Sequence, residues 1–296
     1  MVKVYLNKDM LSSCPYEDTM REIHWMWQRW GTRLRWLDKA ALLVIIGYAT
    51  LAVSAQTGLN VAGQGLDPVW AAAQQRRTLR VAVDFGFYPF TWMEDGQPAG
   101  YDIDLARAIA ARLGMQVEFV PVGLDSIYDD LAARRADVAI SALPYAPELS
   151  WRARFSQFYF DAGQMLVVRS DTPIATEADL AGRVVGVALG SDADTWARRR
   201  LMEGVSFVLR ADYDTPDEAL AALQRGDVDA VATDHAAALI AIARAPELRI
   251  ATALTFEPYV IAVAPEAYRL HEAVNHALDD LRAEGFFDTL REKWFR

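Results

Sequence analysis

The stretch TLRVAVDFGFYPFTWMEDGQPAGYDIDLARAIAARLGMQVEFVPVGLDSIYDDLAARRADVAISALPYAPELSWRARFS, residues 78–156, decides the fold. Leu79–Asp84 is a short apolar run that predicts a buried strand ending in an aspartate, and the loop Phe85–Trp92 behind it is dense in rings. Apolar Ile103, Leu105, Ala106, Ile109, Ala110 and Leu113 recur at helical spacing until Gly114 stops the helix. Val117–Val122 predicts the next strand, Ser126–Arg134 the next helix and Val138–Ser141 the third strand. Strands and helices alternating at this spacing predict a parallel, helix-covered sheet. In such sheets ligands bind at the strand ends, which is where the ring-rich loop lies.

Further along, the same order repeats. Val184–Val187, a helix near Asp192–Met202, a strand around Val205–Leu209, a helix over Thr215–Arg225 and the strand Ala230–Thr233 form a second series. Between the two lies Gln164–Arg169, and after the second lies Arg249–Leu254, two extended segments read as crossings between domains. Tyr259–Ala264 and an amphipathic helix from His271 to Glu284 bring the chain back. The expected organisation is an α/β fold of two lobes joined by two hinge crossings. Residues 78–168 with 253–296 form lobe 1 and residues 169–252 form lobe 2.

The chain has 296 residues, 53% of them hydrophobic and 24% charged, enough for two cores of ordinary size. Its formal net charge is -10; residues 1–55 carry 7 basic and 5 acidic side chains, so the rest carries -12. An acidic body disfavours nucleic acid as a partner and is compatible with small cations. The single cysteine, Cys14, excludes an intramolecular disulfide, and His24, His235, His271 and His276 make no metal-ligand pair with a matching carboxylate. Neither a metal nor a cofactor is expected.

Arg29, Arg33, Arg35 and Lys39 precede the uncharged run Ala40–Ala55, the order of an export signal. Its 16 residues rise about 24 Å as a helix, less than the roughly 30 Å of a bilayer core. Residues 1–55 are read as a signal peptide cut after Ala55, with an uncleaved N-terminal apolar helix as membrane anchor the alternative. A start at Met26 would give ordinary signal-peptide proportions, and no cysteine follows the run to carry a lipid. Residues 56–77 contain Gly58, Gly63, Gly65 and Pro68 and read as a linker, with at most a short helix over Trp70–Gln75.

The pieces Tyr88-Pro89-Phe90, Gly100-Tyr101-Asp102-Ile103-Asp104, Ala136-Asp137-Val138, Phe155-Ser156, Gly190-Ser191, Gly226-Asp227-Val228-Asp229 with Asp234, and Gly285 with Lys293-Trp294-Phe295 resemble, in order and spacing, the type II periplasmic solute-binding proteins. Within these the chain is similar to the polar amino-acid receptors of ABC transporters. The resemblance implies an exported monomer that closes on a small molecule and presents it to a membrane permease, without catalysis.

It also implies where the ligand sits. Phe87 falls where the family stacks a ring on its ligand, and Asp84 at a position that often faces it. Ser191 and Asp192 open a helix on the other lobe, and Asp234 matches the aspartate that receives an ammonium group. Asp192 and Asp234 can also be read as helix caps. Tyr145 completes the expected set. One departure stands out: Leu149 occupies the place of the arginine whose fork grips a carboxylate, while Pro144 and Ala146 replace small hydroxyl residues. Arg152 and Arg154 follow too far along to take its place. Retention of Asp234 beside these losses implies a ligand that keeps an amine and lacks, or places differently, the carboxylate. The competing readings are an enzyme like the cyclohexadienyl dehydratases and a ligand-free accessory or sensory receptor.

Overall fold

The structure is a computed structural model that describes residues 67–296. The export or anchor segment at residues 1–55, the Met26 start and most of the linker lie outside the described residues. Among the described residues no helix is long and apolar enough to cross a membrane.

Two mixed sheets organise the molecule. The first contains β1 (Thr78–Val83), β4 (Gln116–Pro121), β5 (Val138–Pro144), β6 (Arg154–Phe155), β7 (Phe160–Asp161) and β13 (Pro258–Val263), and its path runs β4-β1-β5-β13-β6. The short pair β2 (Trp92–Glu94) and β3 (Gln97–Ala99) stands apart. The second sheet contains β8 (Gln164–Arg169), β9 (Val184–Ala188), β10 (Val208–Tyr213), β11 (Ala230–Asp234) and β12 (Leu248–Ala253), in the order β10-β9-β11-β8-β12. In each, three parallel strands meet a returning strand that runs antiparallel. The parallel sheets expected from the sequence are therefore mixed, because the strands that close each sheet arrive from the other half of the chain.

Alternation along the strands divides the cores. Val81, Val83, Val138 and Ile140 face one side of the first sheet, with helix α2 (Tyr101–Arg112) and α7 (Tyr268–Ala283); Ala82 and Ala139 face the other, with α3 (Ile127–Ala132). The second sheet is sandwiched likewise, Val167 and Val231 on one face and Leu166, Val168 and Val185 on the other.

One device recurs in both sheets. Asp137 precedes β5, and its carboxylate accepts from the Arg80 N–H at 2.9 Å; Asp229 precedes β11 and accepts from the Val184 N–H at 2.8 Å. Each aspartate locks the register of a parallel pair at its start. Asp137 is also gripped by the Arg76 and Arg80 guanidiniums, at 2.7 and 2.8 Å. Arg76 ends α1 (Pro68–Arg76), whose cap Asp67 reaches over to accept from the Arg269 and Leu270 N–H groups. That part of the sequence-predicted linker is thus an anchored helix.

Gln164–Arg169 and Arg249–Leu254 are read from sequence as crossings, but the strands β8 and β12 found there pair with each other inside the second sheet. The passage between sheets falls one step earlier and later, at residues 162–164 and 254–257. There Ala162 N–H donates to Glu257 O, Leu254 N–H to Gln164 O, and the Asp161 carboxylate accepts from both Gly163 and Glu257 N–H groups. The two passages are so close that a β-carbon on Gly163 would sit 2.3 Å from the Thr255 carbonyl oxygen. The largely apolar run after Asp234, for which the sequence predicts no element, is the helix α6 (His235–Arg244).

Candidate functional site

At the C-terminal ends of β1 and β5 opens a cavity of ≈ 450 Å³. Asp84 and Phe87 line it, together with Leu124, Ser141, Ala142, Glu257 and Tyr259. Phe87 stands half-exposed on a platform, its ring stacked at 5.6 Å on the buried Phe90. That platform is rigid because the ring-rich loop caps α2: Pro89 O and Phe90 O accept the Tyr101 and Asp102 N–H groups. Only glycine fits at residue 100, where φ is 133° and a β-carbon would lie 2.0 Å from Phe90 O.

Two carboxylates and no basic side chain line the cavity. Asp84 is half-buried, one oxygen accepting from the Leu124 N–H at 2.9 Å; Glu257 is exposed and accepts from the Thr255 hydroxyl at 3.0 Å. Burial raises the pKa of the Tyr259 hydroxyl, and the charges of Asp102, Asp234 and Glu257 raise it further. The same cavity wall contains Ala142, whose N–H donates to the fully buried Asp102 carboxyl at 2.5 Å. Burial pushes Asp102 up to about 7 despite that hydrogen bond and the neighbouring Tyr159 hydroxyl, which both favour the ionised form.

The other sequence-predicted residues lie elsewhere. Tyr145 lines a separate concavity of ≈ 340 Å³ with Arg154 and His271, its ring edge-on to Phe155 at 5.6 Å. Pro144 faces the first cavity, and the next residue along an extended chain faces away. Ser191 caps α4 (Asp192–Met202): its hydroxyl accepts from the Asp194 N–H and donates to Ala188 O. Asp192 is exposed in the first turn. Asp234 caps α6 by accepting from the Ala237 N–H at 2.9 Å. None of Ser191, Asp192 and Asp234 borders the cavity, although all three stand at the C-terminal ends of strands in the second sheet.

Leu149 sits half-buried in a one-turn 3-10 helix, and no arginine substitutes for it. Arg152 pairs with Asp129 and lies over the rings of Tyr128 and Trp151, while Arg154 is held by Pro265 O. Glu257 and Tyr259 were absent from the sequence-derived set. They come from the second passage and from β13, more than a hundred residues from the strands they join, and no local motif marks them.

The signature of the bacterial extracellular solute-binding proteins, family 3, matches residues 79–296. Two relatives are the L-cystine-binding protein TcyJ of Escherichia coli (strain K12), 27% identical over 89% of this chain and 97% of its own length, and the ABC transporter arginine-binding protein 1 of the same strain, 29% identical over 66% and 81%. Among solved structures, the unliganded open L-cystine solute receptor of Neisseria gonorrhoeae is 26% identical with a TM-score of 0.65, over 74% of this chain and 92% of that one. An ancestral cyclohexadienyl dehydratase is 27% identical with a TM-score of 0.64, over 76% and 95%. With a matching signature over nearly all of the described residues, two mixed sheets of the same order and a cavity at the strand ends of the first, the chain belongs to the bacterial extracellular solute-binding proteins, family 3.

Proposed function

We propose that this protein is the extracytoplasmic receptor of an ABC-type importer and binds an amino-acid-like or amine-bearing solute through its positive charge. The observation that carries the reading is the lining of the cavity: Asp84 and Glu257 supply negative charge, and no arginine or lysine is present for a carboxylate. A buried or half-buried cation needs such partners, whereas a carboxylate placed there would face like charges without compensation. Phe87 offers its half-exposed face to the body of the ligand, and a ring face also attracts a cation.

Closure would swing the second lobe about the paired passages at residues 162–164 and 254–257. It would bring Asp234 and the helix start at Ser191 and Asp192 onto the ligand, contacts available only in the closed state. Tyr145, on the other concavity, is left out of this set. The protein would act as a monomer facing a membrane permease, exported by way of the run Ala40–Ala55.

Agmatine, the decarboxylated counterpart of arginine, tests this directly. At about 100 times its dissociation constant a ligand adds about 2.7 kcal/mol of stability. Agmatine should raise the melting temperature more than L-arginine, and dicarboxylates not at all; stabilisation by dicarboxylates alone would sink the reading. The similarity to a dehydratase supports a second reading, an enzyme of that kind. Its carboxylate substrates lack a cation in this cavity, and an absorbance assay for aromatisation would decide.

A further inference from the structure

Between the pairs Leu143–Val260 and Ala139–Ala262 the ladder of β5 and β13 shifts register, so that Ile140, Ser141 and Ala142 stand opposite Ile261 alone. A bulge of this kind leaves backbone groups without ladder partners, and buried ones must find others. Ile261 turns to Ser156, its N–H donating to the hydroxyl at 2.9 Å and its carbonyl accepting from the Ser156 N–H at 2.8 Å. The Ser141 hydroxyl accepts from the Asp84 N–H at 3.0 Å. Ala142, held at a φ of 48°, gives its N–H to Asp102. Ser141 and Ala142 both line the cavity, so the bulge is part of the wall.

Asp102 comes from the first turn of α2 and is 0% exposed. Its second oxygen and the Tyr159 hydroxyl, close enough to favour the ionised form, make no well-formed hydrogen bond. The titratable groups facing it are tyrosines from three elements: Tyr101 on its own helix, Tyr159 between β6 and β7, and Tyr259 on β13. Arg291 and Asp288, on the helix α8 (Phe286–Trp294), act on Tyr101, and Asp104 is taken by Arg107, Lys293 and Trp294. Across the wall stand the cavity's carboxylates Asp84 and Glu257. No cation is among the groups acting on Asp102, so a buried acid there keeps its proton to near neutral pH.

We propose that Asp102 is a positioning residue of the ligand site, its carboxyl holding the Ser141–Ala142 wall, and that it gives up its proton when a cation enters the cavity. The second half rests on the amine-binding reading above. A protonated acid still has a carbonyl oxygen to accept the Ala142 N–H, so the wall stands in either state. A nearby cation favours the ionised form: the O–H bond breaks, the proton leaves to solvent, and the carboxylate's charge is balanced by the ligand. The hydrogen bond to Ala142 then becomes charge-assisted and shorter-ranged motion of the wall is reduced. By linkage, a cation binds more tightly as pH rises through the acid's titration. If the cation shifts that titration by one unit, agmatine binds about sevenfold more tightly at pH 8 than at pH 5.5.

Nitrogen-15 NMR of the full-length protein reads the wall without any ligand. The Ala142 amide shift should titrate with a midpoint near pH 7 in the wild type. In Asp102→Asn, which keeps an acceptor oxygen, it should be independent of pH yet still protected from hydrogen exchange; in Asp102→Leu the protection should be lost. A wild-type Ala142 amide that ignores pH, or an Asp102→Asn variant as unprotected as Asp102→Leu, overturns the positioning role. Calorimetry with agmatine at pH 7, in two buffers of different ionisation enthalpy, should show proton release in the wild type and none in Asp102→Asn. Binding without proton release overturns the coupling and leaves the amine reading standing. No binding of agmatine overturns coupling and amine reading together, and the amide titration still decides the wall.

Discussion

Asp84 and Glu257 reach the cavity by different routes, and only one was legible beforehand. Asp84 ends the first strand, a place where the alternation of the sheet and the following ring-rich loop already point to a ligand. Glu257 lies in an irregular passage whose position depends on how two distant segments pair. Under the proposed amine binding each would contribute a charge-assisted contact worth about 1.5–3 kcal/mol, so Asp84→Asn and Glu257→Gln are each expected to weaken agmatine at least tenfold in calorimetry without lowering the melting temperature by more than a few degrees. Asp102 titrates the stability itself. Its carboxyl goes from about 3.9 in the unfolded chain to about 7 in the fold, so the native state holds the extra proton between those values. Stability from this group is therefore fully present below pH 4 and lost as pH rises towards 7. Measured by denaturant unfolding, Asp102→Asn should gain on the wild type between pH 5 and pH 8, by a difference on the order of 2 kcal/mol; a constant gap would show that Asp102 is ionised throughout.

Most elements were readable because each carries its own boundary chemistry. Thr215 and Pro216 start α5 (Pro216–Arg225), and Gly226 in the left-handed conformation ends it, all local signals. The helix α6 escaped because His235–Arg244 is apolar all round and shows no face, being packed against both cores. The strand β10 starts a few residues later than its apolar run suggests, since Gly204 and the turn after it delay pairing until Val208. Two element junctions invite substitution. Asp137→Ala strands Arg76 and Arg80 and removes an acceptor from β1, and should cost about 3 kcal/mol in chemical denaturation while releasing α1 to proteolysis at Arg76 or Arg77. Gly163→Ala forces the passages apart at the Thr255 carbonyl, and should lower stability by about 1–3 kcal/mol and weaken ligand binding together, because the same residues are the proposed pivot. Unchanged binding in a destabilised Gly163→Ala would separate the pivot from the site.

For the whole molecule, charge and architecture combine. The described part carries all of the chain's acidic excess, and its cavity is lined by carboxylates, so long-range attraction and local contact favour the same ligands. Association of agmatine should slow and weaken several-fold between about 20 mM and 500 mM salt, as screening shortens the reach of the field; stopped-flow rates that ignore salt would assign the selectivity to shape alone. The order of strands, helices and turn residues, the repeat of that order, and the family followed from the residues alone, since hydrophobic period, caps and glycine stops act over a few positions. The mixed character of the sheets, the placing of β8 and β12 within the second one, Tyr145's turn away from the cavity and the joining of Glu257, Tyr259 and Asp102 to it did not. Those depend on which strand becomes whose neighbour and on a register shift between segments more than a hundred residues apart, and such pairings are settled by packing and by the satisfaction of buried hydrogen bonds across the folded chain.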